Sequence, residues 1–328
     1  MDLDSLLSVL ADGEFHSGEL LAARAGLTRA AVWKQMKQLG EWGLRVEAES
    51  GKGYRLSQPI ELLDEARILR ELENDPRFDC DRLEIFTEID STNRYLMEQP
   101  PSETGKLRTC VAEWQSAGRG RLERRWISPL GSGICLSTAW AFAGIPRGFS
   151  AMSLAAGAAV ANAIRKSCGV VTQLKWPNDI VWDARKLGGV LVESRIESQG
   201  RCVIVIGVGL NVAVPARILE GVSDWRSGAV DLQTAANSVA PMRNFLVASI
   251  AAELGAMFCD YEQDADAAWL ARWRELDYLR GKDISIDAGS VSFFGIAAGI
   301  DSDGALLVGT QDGNRRRVLA GDASVRTQ

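Results

Sequence analysis

The sequence predicts an α+β protein of three modules: an N-terminal winged helix-turn-helix (1–62), a central domain of alternating helices and strands (63–276), and a C-terminal module of short strands (277–328). Three observations carry this reading. Leucines at helical spacing open the chain and lead into a hairpin turn. Polar and glycine-rich clusters interrupt strand-like apolar runs through the middle. Glycine and aspartate turns punctuate the end. A chain of 328 residues, 46% hydrophobic and 24% charged, exceeds what one core usually holds and has the composition of an ordinary globular protein.

Leu3, Leu6, Leu7 and Leu10 recur at helical spacing, and Gly13 stops that first helix. Ser17 is the N-cap of a second helix that runs to Ala25 and breaks at Gly26. Thr28 caps a third through about Leu39, with Val32, Met36 and Leu39 facing inward. Two short helices about a glycine turn, followed by strands at Arg45–Glu49 and Tyr54–Leu56 around Ser50-Gly51-Lys52-Gly53, make a winged helix.

The net charge of −6 argues against a surface wholly given to nucleic acid, so any DNA contact is local. Between Leu21 and Gly40 stand Arg24, Arg29, Lys34 and Lys37 and no acidic residue. Arg29, Trp33, Lys34 and Lys37, with Lys52 and Arg55 of the wing, form a face suited to groove and phosphates. The competing reading is a solvated helix face of a protein-interaction module, with Trp33 partly in the core.

Other chemistry is bounded by composition. The single histidine, His16, rules out a multi-histidine metal site, and a Ser/His/Asp or Cys/His set could form only around it. Six scattered cysteines, with no Cys-x-x-Cys pair, read as reduced, buried thiols of a cytoplasmic protein. The acidic Met1-Asp2-Leu3-Asp4 start does not read as a signal peptide. No apolar run is long enough for a membrane span.

The central clusters are Asp90-Ser91-Thr92-Asn93, Glu113 to Arg121, Lys175-Trp176-Pro177-Asn178-Asp179, Arg185-Lys186-Leu187-Gly188-Gly189 and Gly207-Val208-Gly209-Leu210-Asn211. Gly118 to Trp126 holds four arginines and one glutamate among small residues, which suits an anion or, read alone, nucleic acid. Lys175 and Lys186 flank strand-like Ile180-Val181-Trp182. They are expected to stay charged and steady phosphate oxygens, or else to pair with Asp179, Asp183 and Glu193.

These five clusters, in this order, resemble the signature of the biotin protein ligases, and the first module resembles the winged helix of the bifunctional biotin-operon repressors. The resemblance implies a central mixed sheet and a C-terminal SH3-like β-barrel. It implies an enzyme that joins biotin to ATP with Mg2+, holds no permanent cofactor, and passes biotin from biotinyl-5′-AMP to a lysine of the biotin carboxyl carrier protein. Ser91, Thr92, Asn93, Gln115, Arg119, Gly120, Arg121 and Lys186 would hold biotin. Asn178, Lys186, Asn211 and Trp225 would hold ATP, although Trp225 also reads as a core tryptophan. Lys186, Arg119, Arg121 and Asp179 would carry the catalysis. With biotinyl-AMP bound, a homodimer would bind operator DNA through Arg29, Trp33, Lys34, Lys37, Lys52 and Arg55, and the acceptor would compete for the dimer surface.

At Glu123 relatives commonly carry glycine. A glutamate there costs backbone freedom and can pair with an arginine, which bears on how the loop closes. The alternatives are a biotin-sensing repressor without ligase activity, a lipoate or octanoate transferase on the shared fold, and a ligase whose winged helix binds protein.

Overall fold

The computed structural model describes residues 3–327 except 74–79, 198–199, 222–224, 226, 238–241, 264–266, 289–290, 312 and 322. The first module contains α1 (Leu3–Leu10), α2 (Gly18–Ala25), α3 (Arg29–Glu41), β1 (Val46–Glu49) and β2 (Gly53–Leu56). The caps are those the sequence predicts. Ser17 Oγ accepts from the Leu20 amide at 3.1 Å, Thr28 Oγ1 accepts from that of Ala31 at 3.2 Å, and Gly26 is left-handed at φ 62°. The hairpin gains a third partner, because His16 and Tyr54 exchange two backbone hydrogen bonds of 2.9 Å. That approach requires Gly53: at φ 105° a Cβ would lie 2.0 Å from His16 O.

The central domain follows with α4 (Glu65–Glu73), β3 (Cys80–Ile89), α5 (Thr92–Glu98), β4 (Leu107–Gln115), β5 (Gly133–Phe142), α6 (Met152–Cys168), β6 (Gln173–Lys175), β7 (Asp179–Trp182), β8 (Arg185–Ile196), β9 (Cys202–Asn211), α7 (Ala216–Leu219), α8 (Leu232–Ala236), α9 (Arg243–Glu262) and α10 (Ala267–Glu275). Its seven strands lie in the order β3-β4-β5-β9-β8-β7-β6. Only β3 and β4 run parallel, so the sheet is mixed. All ten residues of β5 are buried, which requires cover on both faces. The alanine-rich α6 and the long α9 pack against each other in the main core, while Leu96 of α5 closes a smaller cluster with Cys110, Ala139 and Val205.

The C-terminal module is β10 (Asp283–Ala288), β11 (Val291–Ile300), β12 (Leu306–Gly309), β13 (Arg315–Val318) and β14 (Ala323–Thr327), an antiparallel sheet ordered β13-β12-β11-β10-β14. It has no core of its own: Ile284, Ile286, Leu306, Val308 and Val325 belong to the cluster that holds Leu174 and Trp176. The Trp176 indole also donates to Gly304 O at 3.0 Å. Central and C-terminal modules are therefore one hydrophobic body, and this fixes β14 beside the central sheet.

The winged helix keeps a separate core of Leu6, Leu7, Leu10, Leu21, Val32, Leu39 and Trp42, into which the central domain inserts Leu130. Trp42 stacks on Trp114 at 4.9 Å, and its carbonyl accepts from the Leu130 amide at 3.0 Å. The connection past residue 57 is held by an ion pair of Arg243 and Glu113 at 2.8 Å, 3% and 5% exposed. Glu113 also accepts from the Leu63 amide, and Arg243 donates to the carbonyls of Glu61 and Gly133. A pair this buried persists only with such added partners.

Cys110, Cys135, Cys168, Cys202 and Cys259 are free thiols, but Cys168 and Cys259 are only half-buried, contrary to the expectation of burial throughout. The side chain of Cys80 lies outside the described residues. No helix among the described residues is long and apolar enough to cross a membrane.

Trp42 is 4% exposed. Trp42→Ala should cost about 3 to 5 kcal/mol of packing. Chemical denaturation followed by circular dichroism should then resolve an early winged-helix transition, and one unshifted transition would contradict this docking.

Candidate active site

The ends and turns of the central strands enclose a cavity of about 820 Å³. Its walls come from the start of α5, the end of β4, the loop at 118–126, the β6–β7 turn, β8, β9, Trp225 and β14. One end is polar and uncharged. Ser91 Oγ caps α5 by accepting from the Arg94 amide at 3.5 Å. Gln115 Oε1 accepts from the Thr92 amide at 2.8 Å and from Thr92 Oγ1 at 3.2 Å. Ser137 Oγ lies 2.7 Å from Thr92 Oγ1 and 2.6 Å from Asn93 Oδ1. Asn93 Nδ2 donates to Glu193 at 2.9 Å, and Glu193 pairs with Arg119 at 2.9 Å. A continuous hydrogen-bonded chain thus links the polar end to a cation.

Two glycines of β9 make this packing possible. A Cβ on Gly207 would lie 2.1 Å from Asn93 Oδ1, and one on Gly209 would lie 2.4 Å from the Trp126 ring. The Trp126 indole therefore lies against bare backbone as a cavity wall. Cys135, on the same wall, is pushed up to about 11, chiefly by burial, so it stays a neutral thiol.

The other end is cationic. Arg119, Arg121, Arg124, Lys175, Lys186 and Arg326 line the cavity, and Asp179 is the one carboxylate among its described lining residues. Lys186 pairs with Asp179 at 2.7 Å. Arg121 donates to the carbonyls of Ala320 and Gly321 in the C-terminal module and to Asn178 Oδ1 at 3.4 Å. Such partners orient the guanidinium. Asn178 is itself fixed by donating to Val190 O at 2.8 Å.

The loop at 118–126 closes through its own backbone: Gly120 N donates to Arg124 O at 2.7 Å and Trp126 N to Gly118 O at 2.9 Å. Gly120 lines the cavity. Leu122 and Glu123 sit at φ 53° and 60°, so the position expected to suit glycine is left-handed here and carries a glutamate. Each such residue costs on the order of 1 kcal/mol of backbone strain.

Trp225 is 8% exposed, lines the cavity, and donates from Nε1 to Ala184 O at 2.8 Å, so it is at once a core residue and a wall. Lys175 Nζ lies 3.9 Å from its ring centroid. Lys175 holds its proton less firmly than an ordinary lysine. Burial is the main cause that lowers it to about 8; Lys186, Arg124 and Arg326 push the same way and Asp179 opposes them.

Not every expected residue reaches the cavity. Asn211 lies behind the wall and donates to Val230 O at 3.0 Å, which steadies the bridge between Lys186 and Ala229. Among the paired-charge alternatives, Asp179 does take Lys186, while Glu193 takes Arg119 and Asp183 takes Arg185. Trp126, Arg124 and Arg326 escaped assignment. The first two stand in a segment already marked as ligand-binding, whereas Arg326 carries no local signal.

On the winged helix, Trp33 is 61% exposed and stands outside the core. Lys34 and Lys37 are exposed as well. The other cations of that face have acidic partners: Arg29 with Glu19 at 2.5 Å, Lys52 with Glu49 at 2.9 Å and Arg55 with Glu47 at 2.8 Å. Exposed pairs of this kind are weak, so phosphate can displace the acids.

Three family models match parts of the chain. Residues 3–55 match the HTH domain family, 85–211 the Biotin/lipoate A/B protein ligase family, and 281–326 the Biotin protein ligase C terminal domain. The Bifunctional ligase/repressor BirA of Salmonella typhimurium is 39% identical over 326 residues, covering 98% of this chain and 97% of that protein. Its Escherichia coli counterpart is 38% identical over 98% of this chain and 96% of its own length. The solved biotin protein ligase from Aquifex aeolicus in complex with biotin and ATP superposes with a TM-score of 0.61 at 23% identity, over 76% of this chain and 100% of that one, a likeness of fold.

Proposed function

Because the chain belongs to the biotin protein ligase family, alongside its bifunctional ligase/repressors, we propose that it makes biotinyl-5′-AMP from biotin and Mg-ATP, transfers biotin to a lysine of the biotin carboxyl carrier protein, and represses transcription as a biotinyl-AMP-bound homodimer on operator DNA. The observation that carries this reading is a single cavity with a neutral polar end and a cation-rich end. A ureido ring offers both N–H donors and a carbonyl acceptor to Thr92, Gln115 and the neighbouring Ser91 and Asn93. The dithiolane of lipoate offers neither, and this disfavours a lipoate or octanoate transferase.

In the first step a carboxylate oxygen of biotin bonds to the α-phosphorus of ATP and the bond to the bridging oxygen breaks, releasing pyrophosphate. Two anions must touch for this to happen. Arg119, Arg121 and Lys186 reduce their repulsion and hold the charge that builds on the phosphorus oxygens. Asp179 orients Lys186, Asn178 orients Arg121, and Trp225 offers its ring to adenine. Mg2+ enters on the phosphates as part of the substrate, since among its described lining residues the cavity offers it only the carboxylate of Asp179, already engaged by Lys186. In the second step the acceptor amine bonds to the acyl carbon, the carbon–oxygen bond breaks, and AMP leaves with the electron pair. Gly120 and the 118–126 loop cover the anhydride against water.

A regulator that senses biotin without ligating would not need Lys186, Arg119 and Arg121 gathered at one end of the cavity. For DNA, exposed Trp33, Lys34 and Lys37 on α3 with Arg29 beside them, and Lys52 and Arg55 on the wing, support groove and phosphate contact. We place this activity in the cytoplasm, where the free thiols stay reduced.

Incubation of a purified carrier domain with this protein, biotin and Mg-ATP should add one biotin mass to one lysine. Lys186→Ala should slow that gain by about 100- to 1,000-fold; an unmodified carrier with the intact protein, or full activity in Lys186→Ala, would sink the assignment. With biotinyl-AMP present, anisotropy of a labelled operator duplex should rise with added protein. Lys34→Ala should lower the slope of log affinity against log salt by about 1, and an unchanged slope would remove Lys34 from the interface.

A further inference from the structure

The cations of the cavity are not held alike. Arg119 is paired with Glu193, Lys186 with Asp179, and Arg121 rests on backbone carbonyls. The ammonium of Lys175, at the end of β6, has neither an ion pair nor a hydrogen bond among the described residues. It lies 3.9 Å from the centroid of Trp225, a ring buried apart from its part in the cavity wall. An ammonium at that distance takes the space in which a planar base would stack on the same ring face. The resting contact and a stacked adenine exclude each other.

We propose that Lys175 is a phosphate-holding residue of the nucleotide subsite, parked on Trp225 in the free protein and moved onto the phosphates when adenine takes that ring face. The inference rests on the reading that this cavity binds Mg-ATP, and it adds a residue and a proton to that reading. A cation–π contact is a weak hold, and a charge-assisted hydrogen bond to a phosphate oxygen is stronger, so the exchange runs toward the bound state. The flexible four-carbon stem lets the ammonium move while β6 stays in the sheet.

The surroundings make the exchange proton-linked. Lys175 faces Asp179 from β7, Lys186 from β8, Arg124 from the 118–126 loop and Arg326 from β14. One carboxylate against three cations, in a buried setting, leaves the free lysine titrating at about 8. An arriving phosphate supplies the missing negative charge and raises that value, so the bound lysine keeps its proton. Below pH 8 the proton is already present and binding has its full strength. Above pH 8 binding must also draw a proton from solvent, and ATP affinity falls by up to tenfold per pH unit until the bound form titrates in turn. Biotin, held at the neutral end, should not feel this.

The test is pyrophosphate release with biotin and saturating Mg2+, measured as the KM for ATP from pH 6.5 to 9.5. The wild type should hold a flat KM below pH 8 and a rising one above, with the KM for biotin unchanged. Lys175→Met should raise the KM for ATP at least tenfold at pH 7 and flatten its profile. Lys175→Arg, charged throughout, should stay near the wild-type value at pH 7 and lose the rise above pH 8. A Lys175→Met enzyme with the wild-type KM at pH 7, or a Lys175→Arg enzyme that keeps the alkaline rise, would overturn the inference while leaving the ligase intact. No pyrophosphate from the wild type would overturn the ligase reading and this inference together.

Discussion

The absence of two Cβ atoms from β9 is the constraint on which the rest of the site depends. Gly207 leaves room for Asn93 and Gly209 for the Trp126 ring, and any side chain at either position would collide at little more than 2 Å. With that room, α5 can lower its first turn onto the sheet, so that Thr92, Asn93 and Ser137 share hydrogen bonds above a strand that is otherwise apolar. The same room lets the arginine-rich loop end on a flat indole at the cavity wall. A central strand normally gains from β-branched residues on both faces. Here the strand gives up that packing at two positions, and the cavity occupies the space.

An acidic chain nevertheless builds a strongly basic interior, and it does so by choosing partners. Placing six cations around one cavity is opposed by desolvation and by their mutual repulsion, unless dipoles or carboxylates offset both. Arg121 is met by carbonyls of Ala320 and Gly321, Lys186 by Asp179, and Arg119 by Glu193, which is also tied to Asn93. The C-terminal module supplies these two carbonyls, from the turn between β13 and β14, and Arg326, and it can do so because it shares its core with Leu174 and Trp176. Its role in the site follows from packing, and cutting it away would expose that core.

Local chemistry was legible in the sequence wherever a single segment decided the outcome. Ser17, Thr28 and Gly26 bound their helices as expected, the wing turns at Gly51 and Gly53, and all five polar clusters contribute to the cavity. The fifth, at the end of β9, contributes Gly207 and Gly209 to the wall but sends Asn211 behind it. Alternation along a strand assigns faces only once the register is known, and β9 pairs with β5, some seventy residues earlier. Arg326 was illegible for a related reason: nothing near it marks a site, and only the shared core brings β14 to the cationic end of the cavity. The lowered pKa of Lys175 was not legible, because burial and neighbouring cations are properties of the fold. Trp33 was left between two readings, and its exposure follows from Val32, Met36 and Leu39 turning the opposite face of α3 inward.

The central claim is that one cavity brings a neutral ring and two anions into a fixed order. A crystal structure with biotin and a non-hydrolysable Mg-ATP analogue tests it most directly. The account predicts the ureido ring against Thr92 and Gln115, the adenine on Trp225, and the biotin carboxylate facing the α-phosphate between Arg119, Arg121 and Lys186. Biotin in the reverse orientation, or the two ligands in separate cavities with no such contact, would contradict it.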